Sequence, residues 1–276
     1  MKLPRRQFLK TSLAASAAAT LGAVKLSAAD NSAAGREYYE LRAYRLKPGA
    51  STAPLDGYLA KALIPALNAR GVATVGVFTE LDIDKTAATS KPKADSPVWV
   101  LIPHASLESF ARVSAELNTD ATVLQAGADY LNAPKASPAF DRIDVWLYLA
   151  FAGMPKLEVP AFSRSRVPTR VFELRDYESH SELKALNKIA MFQAGEIGVM
   201  KELGMSPVFY GQSLAGPNLP HLRYITSGPD LATHLANWKK FGTHPTWVKL
   251  KNDPQYADNT SKNTARFVAP TAYSQI

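Results

Sequence analysis

The chain has 276 residues, 46% of them apolar and 20% charged, with a formal charge of +8. That is the composition of a globular protein with room for one large domain or two of ordinary size. It contains no cysteine, which excludes disulfides, thiolate catalysis and cysteine-ligated zinc or iron–sulfur centres and leaves burial to supply stability.

The first residues, MKLPRRQFLKTSLAASAAATLGAVKLSAAD, place Arg5 and Arg6 before Phe8-Leu9-Lys10, then an Ala-rich apolar run, then small residues at Ser27 and Ala29. This order resembles a bacterial twin-arginine export signal, with cleavage expected after Ala29 and residues 1–29 removed. The uncharged run from Thr11 to Val24 is too short and Ala-rich to span a bilayer core of roughly 30 Å. The signal carries Lys2, Arg5, Arg6, Lys10 and Lys25 and no acid, so removing these five cations from +8 leaves about +3. The mature chain has no basic cluster with interleaved aromatics, and nucleic acid is not an expected partner. The expected location is the bacterial periplasm.

In chain order the first half reads as a strand from Tyr38 to Leu46, a helix from about Thr52 to Arg70, strands Val72 to Phe78 and Pro97 to Pro103, helices from Ser106 and Thr119, and a strand Ile143 to Phe151. Asp84 to Ser96, polar and rich in Lys, Thr and Ser, reads as a mobile surface loop. Ala152 to Pro168, with three prolines, reads as a linker. The second half opens with Arg170 to Ser179 as a strand. A capping box at Ser179 and Glu182 then starts a helix, whose Leu183, Leu186, Ala190, Ile197 and Met200 recur at helical spacing up to a C-cap at Gly204. Strands at Ser206 to Gln212 and His221 to Ser227 follow. A helix opens at Ser227-Gly-Pro-Asp230, Thr243 is expected to cap a short one, and a last strand runs through Thr264-Ala-Arg-Phe-Val-Ala-Pro270.

The two halves repeat. Glu40-Leu41-Arg42-x-Tyr44 recurs as Glu173-Leu174-Arg175-x-Tyr177, 133 residues later, and each half has the element order β-α-β-β-α-β of a ferredoxin-like unit. One four-stranded antiparallel sheet with helices on a single face leaves its other face bare, so each half needs a partner sheet. The expected fold is α+β: two tandem ferredoxin-like units, 37–152 and 169–276 joined by a 153–168 linker, packed sheet to sheet.

Strand alternation puts Glu40, Arg42 and Tyr44 on one face, and likewise Glu173, Arg175 and Tyr177. If the leucines pack on the helices, these sets face the space between the sheets. They then form either a polar pocket for an acidic or hydroxylated small molecule or an internal salt bridge. His221 and Arg223, two apart on one strand, share a face that could reach the same cavity. The histidines 104, 180, 221, 234 and 244 show no metal-helix spacing, and no metal site is expected. His234 or His244 could serve as a lone axial haem ligand. There is no phosphate loop and no nucleophile elbow.

The repeat, the opening strands and Leu231 to Pro254, where Trp238, Phe241, Pro245 and Trp247 stand as W-x-x-F-x-x-x-P-x-W, resemble the NIPSNAP family of dimeric α+β barrel domains. The second half covers the pattern almost end to end. The first half departs from it, with Phe110 roughly where Trp238 stands and no Pro-x-Trp after it. The resemblance implies a pseudo-dimeric barrel and no particular reaction. Trp238 and Trp247 are read as core packing or as an aromatic wall of a pocket. The functional expectation is an exported protein that binds a small molecule or a protein partner through an inter-sheet cavity, with no cofactor. A cofactor-free oxygenase or isomerase, with Glu173 or His221 as base and Arg175 or Arg223 stabilising negative charge, is the alternative, and a haem-binding protein is the weaker one. A homo-oligomer stays open, because full-size sheets can still pair between chains.

Overall fold

A computed structural model describes residues 33–276; the export signal and its expected cleavage site lie outside the described residues. The strands are β1 (Tyr38–Arg45), β2 (Gly76–Asp84), β3 (Thr89–Pro92), β4 (Val98–His104), β5 (Arg142–Ala150), β6 (Val171–Glu178), β7 (Phe209–Ala215), β8 (His221–Gly228) and β9 (Lys262–Pro270). The sheet runs β3-β2-β4-β1-β5-β7-β8-β6-β9, and β2 also pairs with β9. Eight strands thereby close into an antiparallel barrel, with β3 added outside the ring. Each half has the ferredoxin-like order, β2-β4-β1-β5 in the first and β7-β8-β6-β9 in the second.

The halves do more than cover one another. They join edge to edge at two related seams: Leu147–Ala150 of β5 pairs with Gly211–Ala215 of β7, and Phe78–Leu81 of β2 with Phe267–Pro270 of β9. Each seam satisfies backbone groups that an open four-stranded sheet would leave unpaired. At one seam the backbone passes so close to Tyr148 that a Cβ on Gly211 would lie 2.6 Å from the Tyr148 Cβ, which only glycine tolerates.

An eight-stranded barrel has an interior just wide enough for its own side chains. Here it is filled by Tyr39, Leu41, Phe78, Trp99, Trp146, Tyr148, Phe172, Leu174, Phe209 and their neighbours. Leu41 and Leu174 thus face the barrel interior. Tyr44 and Tyr177 lie on the opposite face, beneath the helices, where they join two further cores. This reverses the orientation expected from the sequence, and with it the inter-sheet cavity. Alternation shows which residues share a face but not which face meets the helices, and here both faces are buried.

The segment 84–96 is only partly a loop. β2 extends to Asp84 and turns back through β3 as a hairpin. The second-half helix starts at Ser181, whose hydroxyl accepts from the Lys184 N–H; the Ser179 hydroxyl donates instead to the Asn259 carbonyl. His244, not Thr243, caps the short helix Pro245–Lys251. Gly204, at φ 70°, ends its helix as expected.

Candidate functional site

Each repeated glutamate is the centre of a buried cluster between barrel and helices. In the first half Arg42 Nε donates to Glu40 Oε1 at 2.6 Å, Arg42 Nη1 donates to the Tyr44 hydroxyl at 3.2 Å, and His104 Nε2 lies 3.3 Å from Glu40 Oε2. Burial pushes the Glu40 carboxyl up, but His104 and Arg42 outweigh it and hold the group down at about 2. In the second half Arg175 Nη1 donates to Glu173 Oε1 at 2.7 Å, and His234 Nε2 meets Glu173 Oε2 at 2.9 Å. The Trp238 indole N–H also donates to Glu173 Oε2. Burial raises the Glu173 carboxyl, yet His234, Arg175 and Trp238 bring it below the ordinary carboxylate range.

The two histidines come from different elements. His104 ends β4, and the ladder registers place Gly228 of β8 at the corresponding position, since Glu40 pairs with Ile102 and Glu173 with Thr226. His234 sits on the helix Leu231–Thr243 and occupies the space a side chain at 228 would take: a Cβ there would lie 2.9 Å from the His234 Cβ. The helix N-caps, Ser106 and Asp230, align Phe110 with His234 and Ser114 with Trp238, which corrects the expected match of Phe110 to Trp238.

The halves diverge above this shared base. Both carry a π-helical turn after the first helix, Leu59–Leu63 and Phe192–Glu196, at the same offset of 133 as the glutamates. In the first half the space is closed. Leu55 and Leu63 are fully buried, Tyr58 stacks on Tyr130 with ring centroids 4.3 Å apart, and Phe140 stacks on Tyr130 in turn. In the second half the positions of Leu55 and Leu63 are held by Lys188 and Glu196, whose Nζ and Oε1 are 2.6 Å apart. Above them opens a cavity of about 450 Å³, lined by Arg175, Tyr177, Lys188, Met191, Glu196, Trp238, Phe241, Trp247 and the polar rim Lys251, Tyr256, Asn259 and Asn263.

Aromatic rings shape the cavity and hold its cations. The Arg175 guanidinium lies 4.4 Å from the Trp238 ring centroid. Its Nε is buried without a hydrogen-bonding partner among the described residues. Lys188 Nζ stands 4.9, 5.4 and 5.5 Å from the centroids of Phe192, Trp247 and Tyr177. Burial pushes the Glu196 carboxyl up, against the pull of Lys188.

Four of the ten candidates from the sequence, Arg175, Tyr177, Trp238 and Trp247, line this cavity, and Glu173 lies beneath it. Glu40, Arg42 and Tyr44 form the closed counterpart. His221 and Arg223 lie on the opposite face, inside the barrel. Arg223 Nε donates to Asp176 and its guanidinium sits 4.3 Å from the Trp146 ring. His221 Nδ1 is 3.0 Å from the Asn218 carbonyl and Nε2 3.1 Å from the Tyr148 hydroxyl. That pattern fits a neutral imidazole, and burial followed by Arg223 holds it down at about 4. Neither base expected for an oxygenase therefore faces the cavity. Both Glu173 oxygens are bonded, and His221 is across the sheet.

Sequence reading missed Lys188, Glu196 and Met191. Lys188 and Glu196 were visible only as helix residues, although comparison with Leu55 and Leu63 at the repeat offset would have marked them.

Residues 172–275 match the NIPSNAP family model, and residues 2–22 match that of the twin-arginine translocation signal. The second half is a NIPSNAP domain. The signal directs this NIPSNAP-domain protein across the bacterial membrane to the periplasm, and no helix among the described residues is long and apolar enough to span a membrane. No curated protein matches. A monooxygenase-like protein from Fusobacterium nucleatum aligns with TM-score 0.50 and 7% identity over 86% of this chain and 93% of its own, which is likeness of fold. A NIPSNAP-like domain protein from Burkholderia xenovorans aligns at 15% identity over 38% of this chain and 89% of its own, TM-score 0.35. A haem-binding protein from Thermus thermophilus aligns at 12% identity over 86% and 92%, TM-score 0.41. The barrel is of the dimeric α+β type, formed within one chain.

The cavity residues do not fit a haem. Among the described residues no histidine lines it. His234 is committed to Glu173, and His244 caps a helix. The Tyr177 hydroxyl is bonded to that of Tyr224 at 2.8 Å, and the Met191 sulfur faces Lys188 Nζ at 3.3 Å. Neither these histidines nor Tyr177 nor Met191 is therefore free to serve as an axial ligand.

Proposed function

We propose that the second domain of this exported protein, residues 169–276, is a receptor for a small organic anion with a flat apolar body, and that the first domain, 37–152, is a structural copy that completes the barrel. The carrying observation is Arg175. It is positioned by Glu173, stacked on Trp238 and 21% exposed at the wall of a cavity. A guanidinium held in this way offers pre-oriented charge-assisted donors to a carboxylate. Trp238, Phe241 and Trp247 offer ring faces to the rest of the ligand. The pairing with Glu173 and the pocket role coexist: the salt bridge fixes the guanidinium that binds.

Titration of the mature protein with benzoate, indole-3-acetate and phenylpyruvate, followed by tryptophan fluorescence, tests this. Saturable binding that weakens at least tenfold in Arg175→Met, with thermal unfolding still cooperative, is expected. No saturable binding of any of the three, or equal binding by the variant, refutes the reading.

A further inference from the structure

Lys188 and Glu196 form an ion pair that the fold does not need. The same helix and π turn in the first half carry Leu55 and Leu63 at these positions, both fully buried, so the scaffold packs well with an apolar pair. Burying two charges instead costs desolvation that their attraction seldom exceeds. A pair retained at such a cost, on the wall of a cavity rather than in a closed core, calls for a chemical role. Lys188 is a primary amine held by a carboxylate and three rings. The Arg175 guanidinium stands 5.6 Å from the centroid of the same Tyr177 ring, and both cations line the one cavity. An amine in an apolar wall, a proton acceptor bonded to it and a carboxylate anchor in the same cavity are the parts needed to condense an amine with an oxo acid.

We infer that Lys188 forms a Schiff base with the carbonyl carbon of an oxo acid whose carboxylate is held by Arg175, with Glu196 moving the protons. This rests on the anion-binding reading of the cavity and names its ligand class. Glu196 takes a proton from the Lys188 ammonium, and the freed amine lone pair attacks the carbonyl carbon while the C=O π pair goes to oxygen. Glu196 then relays one nitrogen proton to that oxygen and donates a second to it. The C–O bond breaks with loss of water. The balance is ammonium plus carbonyl giving protonated imine plus water, with Glu196 ending as carboxylate and no other reactant consumed. Burial raises the Glu196 carboxyl, which favours its holding the proton while the amine reacts. The first domain, with leucines in both places, has no such capacity.

The test is reductive trapping on full-length mature protein, with pyruvate and phenylpyruvate as probes and sodium borohydride as reductant, read by intact mass and peptide mapping. One reduced adduct on Lys188 is expected, forming at least tenfold faster than on exposed Lys239 and Lys240. It should be absent in Lys188→Met and slowed at least tenfold in Glu196→Gln. Arg175→Met should raise the phenylpyruvate concentration needed at least tenfold. Labelling of Lys188 no faster than of Lys239 overturns the inference, as does an adduct that survives Lys188→Met. Saturable phenylpyruvate binding by fluorescence without an adduct would sink the covalent step alone and leave anion binding standing. Because Lys188→Met strands Glu196, Lys188→Leu/Glu196→Leu is trapped in parallel. That folded variant must also show no adduct, and an adduct on it would refute the assignment.

Discussion

The first domain supplies its own control for the energetics of the Lys188–Glu196 pair. The perturbation is a cycle of three variants, Lys188→Leu, Glu196→Leu and the double, which installs in the second domain the pair that Leu55 and Leu63 form in the first. Nζ and Oε1 are 2.6 Å apart, and both side chains are at most 6% exposed, so neither charge is well solvated when its partner goes. Each single variant should lose about 3–5 kcal/mol, the penalty for an uncompensated buried charge. The double variant removes both charges and should fall between neutral and about 4 kcal/mol more stable than wild type. The loss in Lys188→Leu should shrink in mild acid, because burial already pushes the Glu196 carboxyl up and a protonated Glu196 carries no charge to strand. Urea unfolding followed by far-UV circular dichroism gives the three differences. A double variant as unstable as either single would refute the reasoning, because it would mean that the leucines of one half do not report on packing in the other. A single variant costing under about 1 kcal/mol would do so too, by showing that cavity water screens the pair.

Two further outcomes follow from the geometry. Gly228→Ala should destabilise by about 1–3 kcal/mol, because the new Cβ would fall 2.9 Å from that of His234; thermal melts measure it, and an unchanged midpoint would refute the view that His234 fills the place of a residue-228 side chain. His221, held at about 4 against an ordinary value of 6.5, stays neutral in the folded barrel while the unfolded chain takes up a proton below 6.5. Its contribution is therefore intact above 6.5 and lost as pH falls to 4, by on the order of 3 kcal/mol at about 1.4 kcal/mol per unit. His221→Gln should flatten the stability profile between pH 6.5 and 4, and an unaltered slope there would contradict the neutral assignment.

The sequence by itself determined the repeat, the export signal, the β-α-β-β-α-β order within each half and the residues that share each strand face. These are local or periodic properties: a capping residue, an alternation of two, a spacing of three and four, a motif recurring 133 residues on. The recurrence of Glu-Leu-Arg-x-Tyr was enough to imply two sheets that need each other. Only the tertiary structure decided which face of those sheets the glutamates occupy, because Leu41 and Glu40 are both buried and burial on two faces erases the polarity signal that alternation relies on. It alone brought His104 to Glu40 from a strand and His234 to Glu173 from a helix, since hydrogen bonds across 64 and 61 residues have no local signature. The cavity belongs to the same class of fact. Lys188 and Glu196 stand eight residues apart on one helical segment, and whether such a pair lies in water or under three aromatic rings depends on what the rest of the chain lays over it.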